Sequence, residues 1–141
     1  MASDNVIIWL VILVSSVVLL CIGERIRLRR ARQAFAAGRE PLSDEDFPPR
    51  ASTTEDQATF FLAARAGIAE ACGLPSSMLY PEDPIRDLLW LQSDGGDVLD
   101  MVFRIERKYG HKVCRCDFPQ DATLSEVIHC LDAVRPIPGR P

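Results

Sequence analysis

The apolar residues are distributed unevenly along the chain. An uncharged, mainly apolar run of 18 residues, VIIWLVILVSSVVLLCIG, occupies 6–23, close to the roughly 20 apolar residues needed to cross about 30 Å of hydrocarbon. Residues 1–5 hold no Lys or Arg and include Asp4, whereas a cleaved secretory signal begins with positive charge. We therefore predict an uncleaved transmembrane helix over 1–23 with its apolar core at 6–23.

Arginines are concentrated directly after this run. Residues 24–40 hold six arginines and two glutamates, a net charge of +4, and the composition favours a helix up to Gly38. A dense Arg cluster beside a membrane segment stays on the cytoplasmic side. We predict a basic juxtamembrane helix over 24–38. The corresponding topology is a single pass through the inner (cytoplasmic) membrane, with a cytoplasmic C-terminal domain.

The next segment has no apolar period. Residues 39–52, REPLSDEDFPPRAS, combine three prolines with an acidic run. This composition is typical of an unfolded tether. It predicts a disordered linker over 39–53.

Helical periodicity resumes after the linker. Thr54 and Gln57 have the spacing of a capping box, and Gly73 supplies a stop signal. The pattern between them predicts a helix over 54–72. Its predicted buried positions are Phe61, Ala64, Ile68 and Ala71. Residues 74–93 then combine three prolines with many apolar residues, which predicts a loop that packs against the domain.

Two further helices follow. One is predicted to begin at Asp94, whose carboxylate can cap the helix, and to end at Gly110. Its predicted buried stripe is Val98, Val102, Ile105 and Tyr109. The other opens with a capping box, Thr123 and Glu126, and ends at Pro136. Its predicted inward residues are Leu124, Val127, Ile128, Leu131 and Val134. The pattern thus predicts an all-α fold behind a single transmembrane helix. The predicted bundle over 54–136 has three main helices and room for a short additional one, and a tail follows over 137–141.

Charge and length restrict the function. Residues 41–141 hold ten basic and seventeen acidic residues, a net charge of −7. This balance argues against nucleic acid and favours a protein partner with a basic surface. About 80 residues of folded domain are too few for a large enzyme fold. The sequence also has no phosphate-binding Gly-rich loop and no Gly-x-Ser-x-Gly motif, so we predict that the protein is not an enzyme.

The cysteines and histidines near the C-terminus offer a weak metal pattern. Cys114 and Cys116 are spaced C-x-C, not the C-x2-C of common zinc sites. His129 and Cys130 are neighbours on a predicted helix and point about 100° apart. His111 is the remaining candidate ligand. We predict no metal site and interpret these residues as packing residues.

One stretch carries a family resemblance. Asp87-Leu88 and the segment 94–109, DGGDVLDMVFRIERKY, resemble the acyl carrier protein family, and the resemblance extends over about 54–134. It implies a four-helix bundle with a short third helix and a long first loop. In that family a serine after the aspartate carries 4′-phosphopantetheine, and Gly95 occupies that position here. The segment is similar to a bacterial offshoot of the family in which Asp-Gly followed by acidic residues replaces the modified motif.

The resemblance implies two alternative functions. The first is a membrane-anchored, non-enzymatic module without cofactor or catalytic residue, which docks a protein through Asp94, Asp97 and Asp100. The second is a working acyl carrier that uses Ser93 as an unconventional 4′-phosphopantetheine site. We predict the first, because Gly95 has no hydroxyl for a transferase to modify.

Overall fold

The structure, a computed structural model, describes residues 2–48, 54–92, 97–114, 116–119 and 121–136. Its elements in chain order are α1 (Ala2–Ala36), α2 (Glu55–Cys72), a short 3₁₀ turn (Ser76–Met78), α3 (Ile85–Trp90), α4 (Val98–Tyr109) and α5 (Leu124–Val134). No strand occurs in these ranges. The predicted all-α fold is confirmed.

The helix α1 joins the predicted transmembrane and juxtamembrane segments into one element. It contains an 18-residue window with a mean hydropathy of 3.0, none of it buried, and is long and apolar enough to cross a membrane. Within this run the Ser16 hydroxyl donates to the Ile12 carbonyl at 2.8 Å, so its polar group has a partner inside the helix. The chain divides into two compact units, Met1–Phe35 and Ala36–Pro141.

The helix α2 is defined by the two end signals in the sequence. The Thr54 side chain accepts a hydrogen bond from the Gln57 backbone N–H, and Gly73 takes the left-handed conformation at φ 66°. The predicted helix over 54–72 is confirmed. Its four predicted inward positions are also buried, and Phe60 joins them.

The main packing contact of the bundle is the close crossing of α2 and α4. A Cβ atom added to Gly67 would lie 2.7 Å from the Ile105 backbone nitrogen and 2.9 Å from its Cα. The two backbones therefore meet without a side chain between them, an approach that requires glycine at this position. Around this crossing the inward residues of α4, Met101, Val102 and Ile105, are buried.

The helix α5 has the predicted capping box. The Thr123 side chain accepts from the Glu126 backbone N–H, and the Glu126 carboxylate accepts from the Thr123 backbone N–H. Four of the five predicted inward residues are buried. The exception is Val134, which is 42% exposed because it is the last residue of the helix and lies beyond the core.

An arginine directly after α5 connects the ends of three helices. The Arg135 guanidinium donates to Asp56 at 2.7 Å and to Asp132 at 2.6 Å, and it lies 4.9 Å from the Phe60 ring centroid. Hydrogen bonds from Arg135 and Tyr109 lower the pKa of the Asp56 carboxyl. This cluster joins the start of α2 to the ends of α4 and α5.

The short helix lies earlier in the chain than the acyl carrier resemblance implies. Instead of following α4, the short α3 precedes it, within the long connection after α2. Pro84 is the N-cap of α3 and has an extended backbone, and Ile85 and Leu88 are buried in the core. Between α4 and α5 the described residues are irregular.

The predicted disordered linker is wrong for residues 39–48. A fully buried arginine of α2, Arg65, donates to the Leu42 and Leu79 carbonyls at 3.0 Å and to Asp44 at 2.9 Å. Its guanidinium also covers the buried Phe47 ring at 4.3 Å. A sequence without periodicity is thus held in place by long-range contacts. The remaining linker residues, 49–53, lie outside the described residues.

Candidate docking face

The predicted site falls at the start of α4. Ser93, Asp94 and Gly95 lie outside the described residues. Asp97 is exposed, and its carboxylate accepts from the Leu99 backbone N–H at 2.8 Å. The prediction that the helix begins at Asp94 is therefore wrong: Asp97 is the N-cap and the helix begins at Val98. The shift is consistent with the two glycines before Asp97, since glycine is unfavourable inside a helix.

Asp100 lies one turn further on and already has a partner. The Arg104 Nε donates to its carboxylate at 2.7 Å, which raises the pKa of the Arg104 guanidinium. Arg104 also donates to Glu70 of α2 at 3.1 Å. Of the three predicted docking carboxylates, Asp97 is thus exposed and used as a cap, and Asp100 is half-buried and ion-paired.

The C-terminal half of α4 is basic. Arg104, Arg107 and Lys108 all contact the Glu70 carboxylate. The hydrogen bond from Lys108, followed by that from Arg107, lowers the pKa of Glu70. Three cations of α4 therefore share one carboxylate of α2. Arg107 keeps 64% of its side chain exposed.

Two large apolar residues point away from the core on the same helix. Leu99 is 46% exposed and Phe103 is 63% exposed, and residues four apart are neighbours on a helix surface. We call the surface formed by Leu99, Asp100, Phe103 and Arg107 the outer face of α4. Sequence reasoning missed the apolar pair because it followed the buried stripe. The signal in the sequence was the four-residue spacing of Leu99 and Phe103, which lie outside that stripe.

A shallow cleft adjoins the outer face. Its volume is about 460 Å³. Its lining residues are Phe103, Glu106, Arg107, Gly110, His111 and Lys112. The aromatic ring and the neighbouring cations give this surface both apolar and charged contacts to offer, a combination typical of protein interfaces.

Cys116 is partly buried and His129 packs against an aromatic ring, but Cys114 is exposed and does not fit the packing interpretation. Burial, and then a hydrogen bond with Cys130, raise the pKa of Cys116 to about 12. His129 packs edge-on against Phe61 with ring centroids 4.8 Å apart, and Cys114 is exposed. Across the described part of the chain, no group of three or more His, Cys, Asp or Glu side chains could hold a metal ion.

Comparisons with protein-family models, curated proteins and solved structures found no match to this chain. The acyl carrier resemblance therefore remains a prediction from the residues.

Proposed function

We propose that this protein is a membrane-anchored, non-enzymatic docking module built on an acyl-carrier-like helical bundle. The observation that carries the proposal is the outer face of α4, where Leu99 and Phe103 are exposed beside charged residues. Large aromatic side chains supply much of the binding energy at protein interfaces. Phe103 contributes nothing comparable to the core, since most of it is in solvent.

The charge at the start of α4 favours a partner with basic groups. Residues 94–100 hold three aspartates and no basic residue. Charges at the edge of an interface mainly set the encounter rate and the specificity. Asp97 and Asp100 would fill this role next to Leu99 and Phe103, together with Asp94 from outside the described residues.

Photo-crosslinking tests the docking role. A photoreactive benzoylphenylalanine replaces Phe103 in the full chain in membranes, and the same residue at exposed Glu82 serves as the control. We expect an adduct from position 103 that is absent from position 82. Asp97→Asn with Asp100→Asn should lower its yield and leave the fold intact, because asparagine also caps helices. Absence of any adduct from position 103 would overturn the docking function.

The absence of a prosthetic group is proposed on the chemistry of position 95. Phosphopantetheine transfer needs a hydroxyl, and glycine has none. We expect the full chain to keep its unmodified mass after co-expression with a phosphopantetheinyl transferase, measured by intact mass spectrometry. A mass increase of one phosphopantetheine group that disappears in Ser93→Ala would establish the alternative acyl carrier function.

We also propose that α1 anchors the protein in the inner membrane with its C-terminal domain in the cytoplasm. Its apolar run and the arginines that follow support this orientation. In spheroplasts, a tag after Pro141 should resist added protease, and detergent should make it cleavable. Cleavage before detergent is added would show that the C-terminal domain lies outside the cytoplasm.

A further inference from the structure

The charges of α4 and its flanks are arranged in two opposite blocks. Residues 97–100 hold Asp97 and Asp100 and no basic residue, a net charge of −2. Residues 104–112 hold two arginines and two lysines against Glu106, a net charge of +3 with neutral His111. Phe103 stands between the blocks. Negative charge at the start of a helix and positive charge at its end also complement the helix dipole. The dipole does not account for the exposed apolar residues between the two blocks.

The basic block remains accessible in the folded domain. Arg107 shares Glu70 with two other cations, and 64% of its side chain is exposed. Lys112 is 85% exposed, and its ion pair to Glu106 is long at 3.8 Å. Both cations can therefore approach a further carboxylate. A partner that is basic throughout would be repelled by this end of α4.

Resting on the proposed docking function, we propose that the partner is a second copy of this chain. The outer faces of two α4 helices pack antiparallel, with the two Phe103 rings beside a two-fold axis. Such an interface must be self-complementary, because each copy presents the same surface. Asp100 lies three residues before Phe103 and Arg107 four residues after it, about 4.5 and 6 Å along the helix. Asp100 is paired with Arg104 of its own chain, and 34% of its side chain stays exposed. The symmetry therefore brings Asp100 of each copy to Arg107 of the other.

A second copy satisfies both charge blocks at once, whereas a uniformly basic or acidic partner satisfies one and opposes the other. Anchoring through α1 also favours association of two copies. Two chains confined to the same membrane meet at a higher effective concentration than two chains free in solution. An interface of low affinity can therefore form in the membrane.

The mass of the adduct formed from position 103 distinguishes self-association from docking to a different protein. An adduct at twice the chain mass, containing peptides of this chain only, is the expected result. An adduct with a different protein would overturn the self-association and leave the docking function in place. No adduct would overturn both.

Charge exchange tests the antiparallel register. Two differently tagged full-length copies are co-expressed, and the recovery of one with the other is measured from solubilised membranes. Asp100→Arg in both copies, or Arg107→Asp in both copies, should each lower recovery about ten-fold, or roughly 1.4 kcal/mol. Asp117→Arg, at an exposed position between α4 and α5, is the control and should change nothing.

Recovery should return when opposite charges face each other again. This is expected when an Asp100→Arg copy is paired with an Arg107→Asp copy, and when both substitutions are made in every chain. Misfolded single variants could not recover on mixing, so rescue distinguishes lost contacts from lost folding. Unchanged recovery in the single variants, or failure of both rescues, would overturn the antiparallel pairing.

Discussion

The two faces of α4 use similar residues for different purposes. Ile105 is completely buried and lies against the backbone of Gly67, whereas Phe103, two residues earlier, is 63% exposed. The first side chain has its contacts within the chain, and the second has few. A single helix of twelve residues therefore combines a face that stabilises the fold with a face available for association. The predictions below test whether these roles are separate.

The largest effect is expected on the inner face. Ile105→Ala should lower the free energy of unfolding by about 2 to 5 kcal/mol, because it removes buried methyl groups and leaves a cavity. Urea unfolding of residues 36–141, the compact unit without most of α1, measures the change. A loss below about 0.5 kcal/mol would mean that the inner face is assigned to the wrong side of the helix.

Local signals in the sequence predicted much of this fold. Helix caps at Thr54, Gly73 and Thr123 were found because the capping groups lie within a few residues of one another. In contrast, the Arg65 guanidinium donates to the carbonyls of Ser43 and Leu42, which lie 22 and 23 positions earlier in the chain. No periodicity in 39–48 reports such a contact, so composition alone predicted disorder there. The same limit applies to Arg135 and Asp56, which are 79 positions apart.

The candidate site was predicted less completely than the fold. The capping signal at Asp94 placed the helix start too early. Periodicity identified the buried Val102 and Ile105, but it missed Met101 and included Val98 and Tyr109, which are only partly buried. It could not show that Asp100 is paired with Arg104, since this depends on side-chain geometry. It also did not distinguish Phe103 from an ordinary surface residue. Helical spacing assigns residues to an inner or an outer face, but it does not show whether the outer face binds a partner.

The close crossing on the inner face gives the second prediction. Gly67→Ala should destabilise residues 36–141 by about 1 to 3 kcal/mol, because the new Cβ meets backbone atoms of Ile105 that cannot rotate away. The sign is informative, since alanine in a helix interior is ordinarily more favourable than glycine by up to about 1 kcal/mol. A gain in stability in urea unfolding would show that α2 and α4 are further apart.

The helix start shows that an exposed residue can also stabilise the fold. Asp97→Ala should cost about 1 kcal/mol of unfolding free energy, because the Leu99 N–H loses its capping acceptor. Asp94→Ala is the matched change and should cost less than about 0.5 kcal/mol. Equal costs for the two variants in thermal unfolding would restore Asp94 as a second cap.

The smallest change in stability is expected on the outer face, where the effect on association is largest. Phe103→Ala should alter the free energy of unfolding by less than about 0.5 kcal/mol, because its side chain is mostly in solvent already. The same substitution should sharply reduce recovery of a second tagged copy from membranes, since it removes the aromatic residue at the centre of the proposed interface. Leu99→Ala, one turn earlier, should follow the same pattern with a smaller loss. If Phe103→Ala instead destabilised the domain as much as Ile105→Ala, the outer face would belong to the core and the separation of the two roles would fail.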